Sequence, residues 1–294
     1  MALGLRLLAM VALSASFLLV KLGGQHGISL PETMFWRQGV PALCLTGWLV
    51  SRGQLARVKT DRFWIHARRA VMGTVGMFLG LGVVRILPLA EATILSFTAP
   101  VFAVLLATAL LREHVGIWRW SAVILGLVGV VVITGPDRTH LPLLGLATGL
   151  GAAFTLALVS IQLRDLGRTE DPIRIVFWFS VLGALMLSPG LLFSQGHDLT
   201  GWLLLGGMGI CGLFAQLLMT AALRFGSVAA VIVMDYSQLA WSTLWGWLFF
   251  DQLPPAATWL GAPLIVAAGI IIARREQLLH RRAVIAESAA LNTD

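Results

Sequence analysis

The chain has 294 residues, 58% of them hydrophobic and 12% charged, where a soluble domain carries roughly 45–50% apolar and about 25% charged residues. So few charges cannot cover the apolar surface of a chain this long in water, and apolar runs of ~17–23 residues without strict alternation suit membrane-spanning helices and exclude a β-barrel. The net charge of +7 does not point to nucleic acid, because the 21 Lys and Arg residues flank apolar runs instead of gathering on a recognition motif.

In chain order, spans are expected at 4–22, 33–50, 70–87, 90–111, 117–134, 143–163, 173–193, 202–223, 228–250 and 259–273. The first, with Arg6 as its one early basic residue, exceeds the usual 7–15-residue apolar core of a signal peptide and is read as a span. Gly23-Gly24, Pro88, Gly135-Pro136, Asp171-Pro172, Ser194-Gln195-Gly196 and Pro254-Pro255 mark breaks between spans. Taking alternate breaks together places Arg6, Arg52, Arg57, Lys59, Arg62, Arg68, Arg69, Arg112, Arg119, Arg164, Arg168, Arg174, Arg224, Arg274, Arg275, Arg281 and Arg282 on one side. Lys21, Arg37, Arg85 and Arg138 complete the 21 on the other. The positive-inside rule makes the basic side cytoplasmic and puts both termini there, and a missed helix would invert every later loop. The expected fold is therefore an all-α polytopic membrane protein of ten transmembrane helices, and its short loops leave no room for an extramembrane catalytic domain. Cys44 and Cys211 fall inside apolar runs, where a thiol acts as a small buried hydrophobe, so no disulfide or metal framework is implied.

The halves show weak, ordered similarity. Phe35-Trp36 with Ala42-Leu43 matches Phe177-Trp178 with Ala184-Leu185; Arg85 before Ala90 matches Arg224 before Ala229; Trp120 matches Trp259; and Glu113 matches Asp251. Five spans per half is an odd number, so the second copy starts from the opposite side and the repeats are inverted. Residues 1–139 form the first repeat, 140–275 the second, and 276–294 a flexible cytoplasmic tail. Inverted halves can exchange conformations and open a midplane cavity to each side in turn, which is the symmetry of a secondary transporter.

Arg37, the stretch from Glu91 to Pro100, the Leu-Leu-Arg-Glu113 ending and the Gly126/Gly129 pair resemble the drug/metabolite transporter superfamily, specifically its EamA-type members, over nearly the whole chain to about Arg275. One departure is that the ninth span carries Met234-Asp235-Tyr236-Ser237 with no proline matching Pro100. Within the superfamily the chain is similar to the YddG-type amino-acid exporters, which implies outward movement of neutral or aromatic amino acids and related amines across a bacterial-type inner membrane.

Ionisable groups at depth are costly and are functional candidates. Asp235 is the one carboxylate well inside an expected span, about 10 Å along the helix from residue 228. It can receive a substrate ammonium, bind a coupling proton, pair with a nearby basic group, or cap a broken helix. Arg85 and Glu91, six residues apart, form either a gating ion pair or an interfacial anchor, and the resemblance implies for Arg37 a part in carboxylate attraction or gating. Glu113 and Asp251 are read as solvated caps. Ser14, Phe17, Phe78, Phe97, Phe154, Gln216, Tyr236, Gln238 and Trp241 are the expected cavity lining, while Trp118, Trp120, Trp202 and Trp259 suit an interfacial belt. Pro41, Pro100, Pro189 and Pro263 are expected kinks, with Pro100 the main hinge or cavity candidate. The GxxxG pairs Gly76/Gly80 and Gly145/Gly149, with Gly206, Gly207, Gly209 and Gly212, are expected to allow close helix approach, static or sliding.

An embedded enzyme would need clustered His, Asp, Glu or Cys within the spans, and the six histidines are all read into loops or tails, so no enzymatic activity is expected. No P-loop pattern occurs, no cofactor or metal is expected, and neither is a nucleic-acid partner. The partners are a small-molecule substrate and membrane lipid, with transport either proton-coupled or uncoupled. Import of a vitamin or another metabolite on the same fold is the alternative.

Overall fold

A computed structural model describes residues 2–111, 117–134, 142–167, 169–194, 196–225 and 234–291. Eleven α-helices run through them: α1 (Ala2–Gln25), α2 (Leu30–Ser51), α3 (Phe63–Ile86), α4 (Leu89–Ser96), α5 (Ala99–Leu111), α6 (Ile117–Thr134), α7 (Leu143–Leu166), α8 (Pro172–Leu187), α9 (Leu199–Phe225), α10 (Ser237–Phe250) and α11 (Ala256–Leu291). Three 3₁₀ segments, Leu55–Val58, Ser188–Phe193 and Met234–Tyr236, join or extend them, and no strand occurs among the described residues. Glu113, Arg138 and residue 228 lie outside the described residues.

Among the described residues, seven stretches are long and apolar enough to cross a membrane: Gly4–Gln25, Phe63–Ile86, Leu89–Leu106, Leu143–Leu163, Pro172–Leu192, Leu199–Met219 and Ala256–Arg274. Of the remaining expected spans, α2 carries Glu32 and Arg37, α6 has its apolar part at Trp120–Ile133, and α10 is 14 residues long. Large apolar side chains such as Leu43, Val131, Leu203 and Leu248 face outward, which suits lipid and not water.

Sequence chemistry sets the helix ends. The Ser29 hydroxyl accepts the Glu32 N–H at the start of α2, Asp171 accepts the Ile173 N–H at the start of α8, and Pro31 and Pro172 occupy first-turn positions that need no donor. Helix α10 stops at Asp251, the one described non-glycine residue with left-handed backbone, whose N–H closes onto the Gly246 and Trp247 carbonyls.

The four prolines differ in effect. Pro41 and Pro263 sit inside continuous helices. Pro189 marks the passage of α8 into a 3₁₀ segment, so the seventh expected span leaves α-geometry at Leu187. At Pro100 the fourth span is broken: α4 ends at Ser96 and α5 begins at Ala99. Pro100 has no N–H for the Ser96 carbonyl and its ring crowds that carbonyl. The turn tightens, with Phe97 and Thr98 N–H bonding to Ile94 and Leu95, while the Ser96 and Thr98 hydroxyls donate to the Thr93 and Leu95 carbonyls. The ninth span is interrupted as well, by the 3₁₀ turn at Met234–Tyr236 before α10, even though it has no matching proline. Helix α11 continues past residue 273 to Leu291.

The main contacts join α1 with α9, α6 with α11, α3 with α7, α2 with α8 and α9, and α4 with α10. Glycines admit several of them. At the α6/α11 crossing a Cβ on Gly129 would lie 2.9 Å from the Gly261 carbonyl oxygen, and one on Gly261 would lie 2.6 Å from that of Gly129. Gly76 and Gly149 seat the α3/α7 contact against Thr155, Leu95 and Val83, and Gly209 seats Val40 of α2. Gly80 and Gly206 have no neighbour within 4 Å, so their motifs are engaged only in part. The Leu89–Leu106 stretch is 72% buried against 28–39% for the other six, which makes α4 and the start of α5 the centre of the bundle.

Candidate functional site

Helices α1 and α10 run side by side in the same direction. Arg6 contacts Asp235, the Trp245 indole N–H donates to Ser14 Oγ at 3.2 Å, and Lys21 Nζ donates to Gln252 at 3.2 Å. Against them lies the broken fourth span, where the Thr93 hydroxyl bonds Ser242 at 2.8 Å and the Phe97 ring meets Tyr236 edge-on at 4.9 Å. The two interruptions therefore touch. The Tyr236 phenol sits against Gly269 of α11, where a Cβ would collide with its oxygen.

This arrangement gathers Ser14, Phe97, Asp235 and Tyr236, with Phe17 packed on the adjoining core and Gln238 buried in the first turn of α10. Pro100 starts α5 on the same break. Trp241 lies on α10 and Gln216 on α9, both partly buried. Phe78 and Phe154 lie elsewhere: Phe78 is 52% exposed beside Pro31, Met34 and Leu187, and Phe154 is 41% exposed and edge-on to Phe102.

Asp235 is ion-paired. Arg6 Nε and Nη2 donate to its two oxygens at 2.5 and 2.7 Å, and Arg6 Nη1 reaches the Met219 carbonyl at 3.4 Å. Arg37 is the opposite case. It is 7% exposed, its guanidinium presses into the space left by Gly212, and its Nε has no hydrogen-bond acceptor. Arg85 donates to Thr33 Oγ1 at 2.6 Å, whereas Glu91 is buried with Lys21 as its charged neighbour, so of the two readings the ion pair between them is absent here.

Several charged groups escape a reading by spans. Arg69, assigned by sequence to a cytoplasmic break, lies in α3, buried, stacked 4.4 Å over the Phe179 ring in the notch of Gly73, with Nε and Nη1 unpartnered. The reason is that α3 begins at Phe63, seven residues before the expected span. The same extension puts His66 into the first turn of α3, buried, and not in a loop. Glu32, which no motif marked, is fully buried near the start of α2. The Pro31-Glu32 pair after a capping serine was the available signal.

At the end of the bundle where α1 begins, the segment between α2 and α3 is tied to the one between α7 and α8. Arg57 pairs with Asp171 at 2.8 Å, Arg62 with Asp165 at 2.9 Å, and Thr60 and Arg174 donate to the two oxygens of Glu170 at 2.8 and 2.6 Å. Burial pushes the Glu170 carboxyl up, but the hydrogen bonds from Arg174 and Thr60 and the charge of Arg174 outweigh it and hold the group below its usual range. Asp171 is likewise pushed up by burial and carried below its usual range by Arg57, the Ile173 N–H and Arg174.

An all-helical bundle with an outward apolar surface, broken central helices and buried charges is a polytopic membrane protein built around its interior. The EamA-like transporter family matches residues 1–135 and 143–274, and the chain belongs to that family. It is 28% identical over 263 residues to a riboflavin transporter of Vibrio cholerae serotype O1, covering 88% of this chain and 87% of the relative. It is 32% identical to a riboflavin transporter of Rhizobium johnstonii, with 84% and 82% covered. The pseudopaline exporter CntI of Pseudomonas aeruginosa is 27% identical, with 84% and 87% covered. A solved crystal structure superposes with a TM-score of 0.60 at 18% identity, covering 92% of this chain and 97% of its own, which establishes a shared fold.

Proposed function

We infer that this protein is a secondary transporter that moves a small organic solute by alternating access, with ten spans in two inverted halves, 1–139 and 140–275, and both termini in the cytoplasm of a bacterial-type cell. The helix pairing carries this reading. Counting α4 with α5 as one span, exchange of the first five spans for the second five turns the α1/α9 pair into α7/α3 and maps α2/α8, the α4/α10 pair and α6/α11 onto themselves. The two family matches, 1–135 and 143–274, divide the chain at the same place.

The solute is an amino acid or related metabolite that carries a carboxylate. Asp235, the candidate ammonium seat, is taken by Arg6, whereas the buried Arg37 guanidinium has an unpartnered N–H, the chemistry that a carboxylate satisfies. Export of neutral or aromatic amino acids fits this better than export of simple amines. Uptake of a flavin-like vitamin is the second reading, favoured by the two relatives named riboflavin transporters.

Purified protein in liposomes, without ATP, is expected to move L-phenylalanine but not phenylethylamine, with flux lost in Arg37→Gln and reduced in Asp235→Asn and Trp241→Ala. Flux of riboflavin alone selects the second reading. No flux of any of the three, with folded protein in the membrane, overturns the transport proposal for these solutes.

A further inference from the structure

The two ends of the bundle carry matched but chemically unequal ties. At the end where α1 begins, Glu170 lies 3.8 Å from the His66 ring, and the Trp178 ring beside it meets Phe63 edge-on at 5.4 Å. At the opposite end Glu32 lies 2.8 Å from the His197 ring, and Trp36 meets Trp202 edge-on at 5.5 Å. The 22 residues of α2 separate the two by about 33 Å.

The carboxylates are balanced differently. Both oxygens of Glu170 are engaged, one by the permanently charged Arg174. Glu32 receives the Ser194 hydroxyl at 2.6 Å and the His197 Nε2 at 2.8 Å, both on Oε1, while its buried Oε2 has no partner. Among the charged groups on the elements around it, Arg85 of α3 donates through Nη2 to Thr33 with its Nε unpartnered, Arg37 of α2 lies against Gly212, Lys21 of α1 donates to the Leu87 carbonyl and Gln252, and Asp198 accepts the Gly201 N–H; none of these four pairs with Glu32. Without an added proton the Glu32–His197 pair is a buried net negative charge. With one, on Oε2 or on the imidazole, it is neutral overall.

We propose that Glu32 and His197 form a proton-binding site whose occupancy holds this end of the bundle closed by tying α2 to Ser194 and His197. A buried uncompensated charge is costly, so loss of the proton favours a conformation in which water reaches Glu32, and that conformation parts α2 from Ser194 and His197. At the other end Glu170 is balanced by the permanently charged Arg174. The proposal rests on the alternating-access reading for what this opening accomplishes.

The test needs no solute. The full chain with Cys44→Ser in liposomes retains Cys211 alone, on α9 beside Arg37 and inward from this end. Its labelling by a water-soluble maleimide is compared with that of the same protein carrying Glu32→Gln, a neutral stand-in for the protonated carboxyl, at the same pH so that thiol ionisation cancels. At about pH 8 the Glu32→Gln protein is expected to label several-fold more slowly than its parent, and at about pH 5.5 the two are expected to converge. His197→Gln removes one of the two proton acceptors and is expected to shift the pH at which labelling changes, and Glu170→Gln to leave it in place. Equal labelling of parent and Glu32→Gln at both pH values overturns the proposal; if Glu32→Gln does not fold, an unchanged profile in His197→Gln does so. A protein that moves none of the tested solutes still gives this answer.

Discussion

Arg6 and Asp235, 229 positions apart, hold each other through two donated hydrogen bonds that pin the start of α1 to the 3₁₀ turn preceding α10. Arg6 is nearly buried and Asp235 only partly so, and removing one partner strands the other at the edge of the bundle. Arg6→Ala and Asp235→Ala are each expected to lower stability by about 1.5–3 kcal/mol, as for hydrogen bonds to charged groups. The double variant is expected to lose clearly less than the sum. Thermal unfolding of the four proteins in detergent measures the coupling, and strict additivity would refute it.

The Gly212 and Gly73 notches give a second expectation. Each leaves room for a buried guanidinium, Arg37 or Arg69, that a Cβ would strike. Gly212→Ala and Gly73→Ala are expected to cost about 1–3 kcal/mol through overpacking. Gly80→Ala, with nothing within 4 Å, is expected to be neutral within the same unfolding assay.

Acid sensitivity is expected at the end where α1 begins. Glu170 and Asp171 titrate below their ordinary values of 4.5 and 3.8, so the unfolded chain takes up their protons first as pH falls. Their stabilising contribution is whole above those ordinary values and is lost as pH drops through the lower folded ones. Arg174→Met removes the main force holding Glu170 down and is expected to move acid unfolding to higher pH, read by intrinsic fluorescence. An unmoved acid transition would count against this balance.

The touching breaks can be separated by substitution. Pro100→Ala restores a donor for the Ser96 carbonyl and is expected to leave stability unchanged or raised while slowing flux, because a continuous helix no longer presents the turn that Phe97 shares with Tyr236. Gly269→Ala is expected to slow flux and also destabilise, since it displaces the Tyr236 phenol. Circular dichroism, unfolding and liposome flux distinguish the two.

Composition and the spacing of apolar runs were enough to read an all-helical membrane chain, most of its helix positions, and Pro100 as a kink or hinge of the fourth span, which the structure shows as a break. These features are local: hydrocarbon demands helices of a certain length, and a proline withdraws its own hydrogen bond wherever it sits. The EamA resemblance was legible in Arg37, the Glu91–Pro100 stretch and Gly129, and the family match agrees. The pairing of charges was not legible. Arg6 looked like a flanking residue, and a basic partner was one of several readings of Asp235; only the side-by-side course of α1 and α10 makes Arg6 that partner. Arg69 and His66 were read into a loop because polar residues at a helix start lower the hydropathy that defines a span, while Glu32 and His197, 165 residues apart, meet only when α2 and the 188–198 segment share one end of the bundle. Hydropathy reports how each segment meets its solvent; which buried charge finds a partner is decided by the packing of segments distant in the chain.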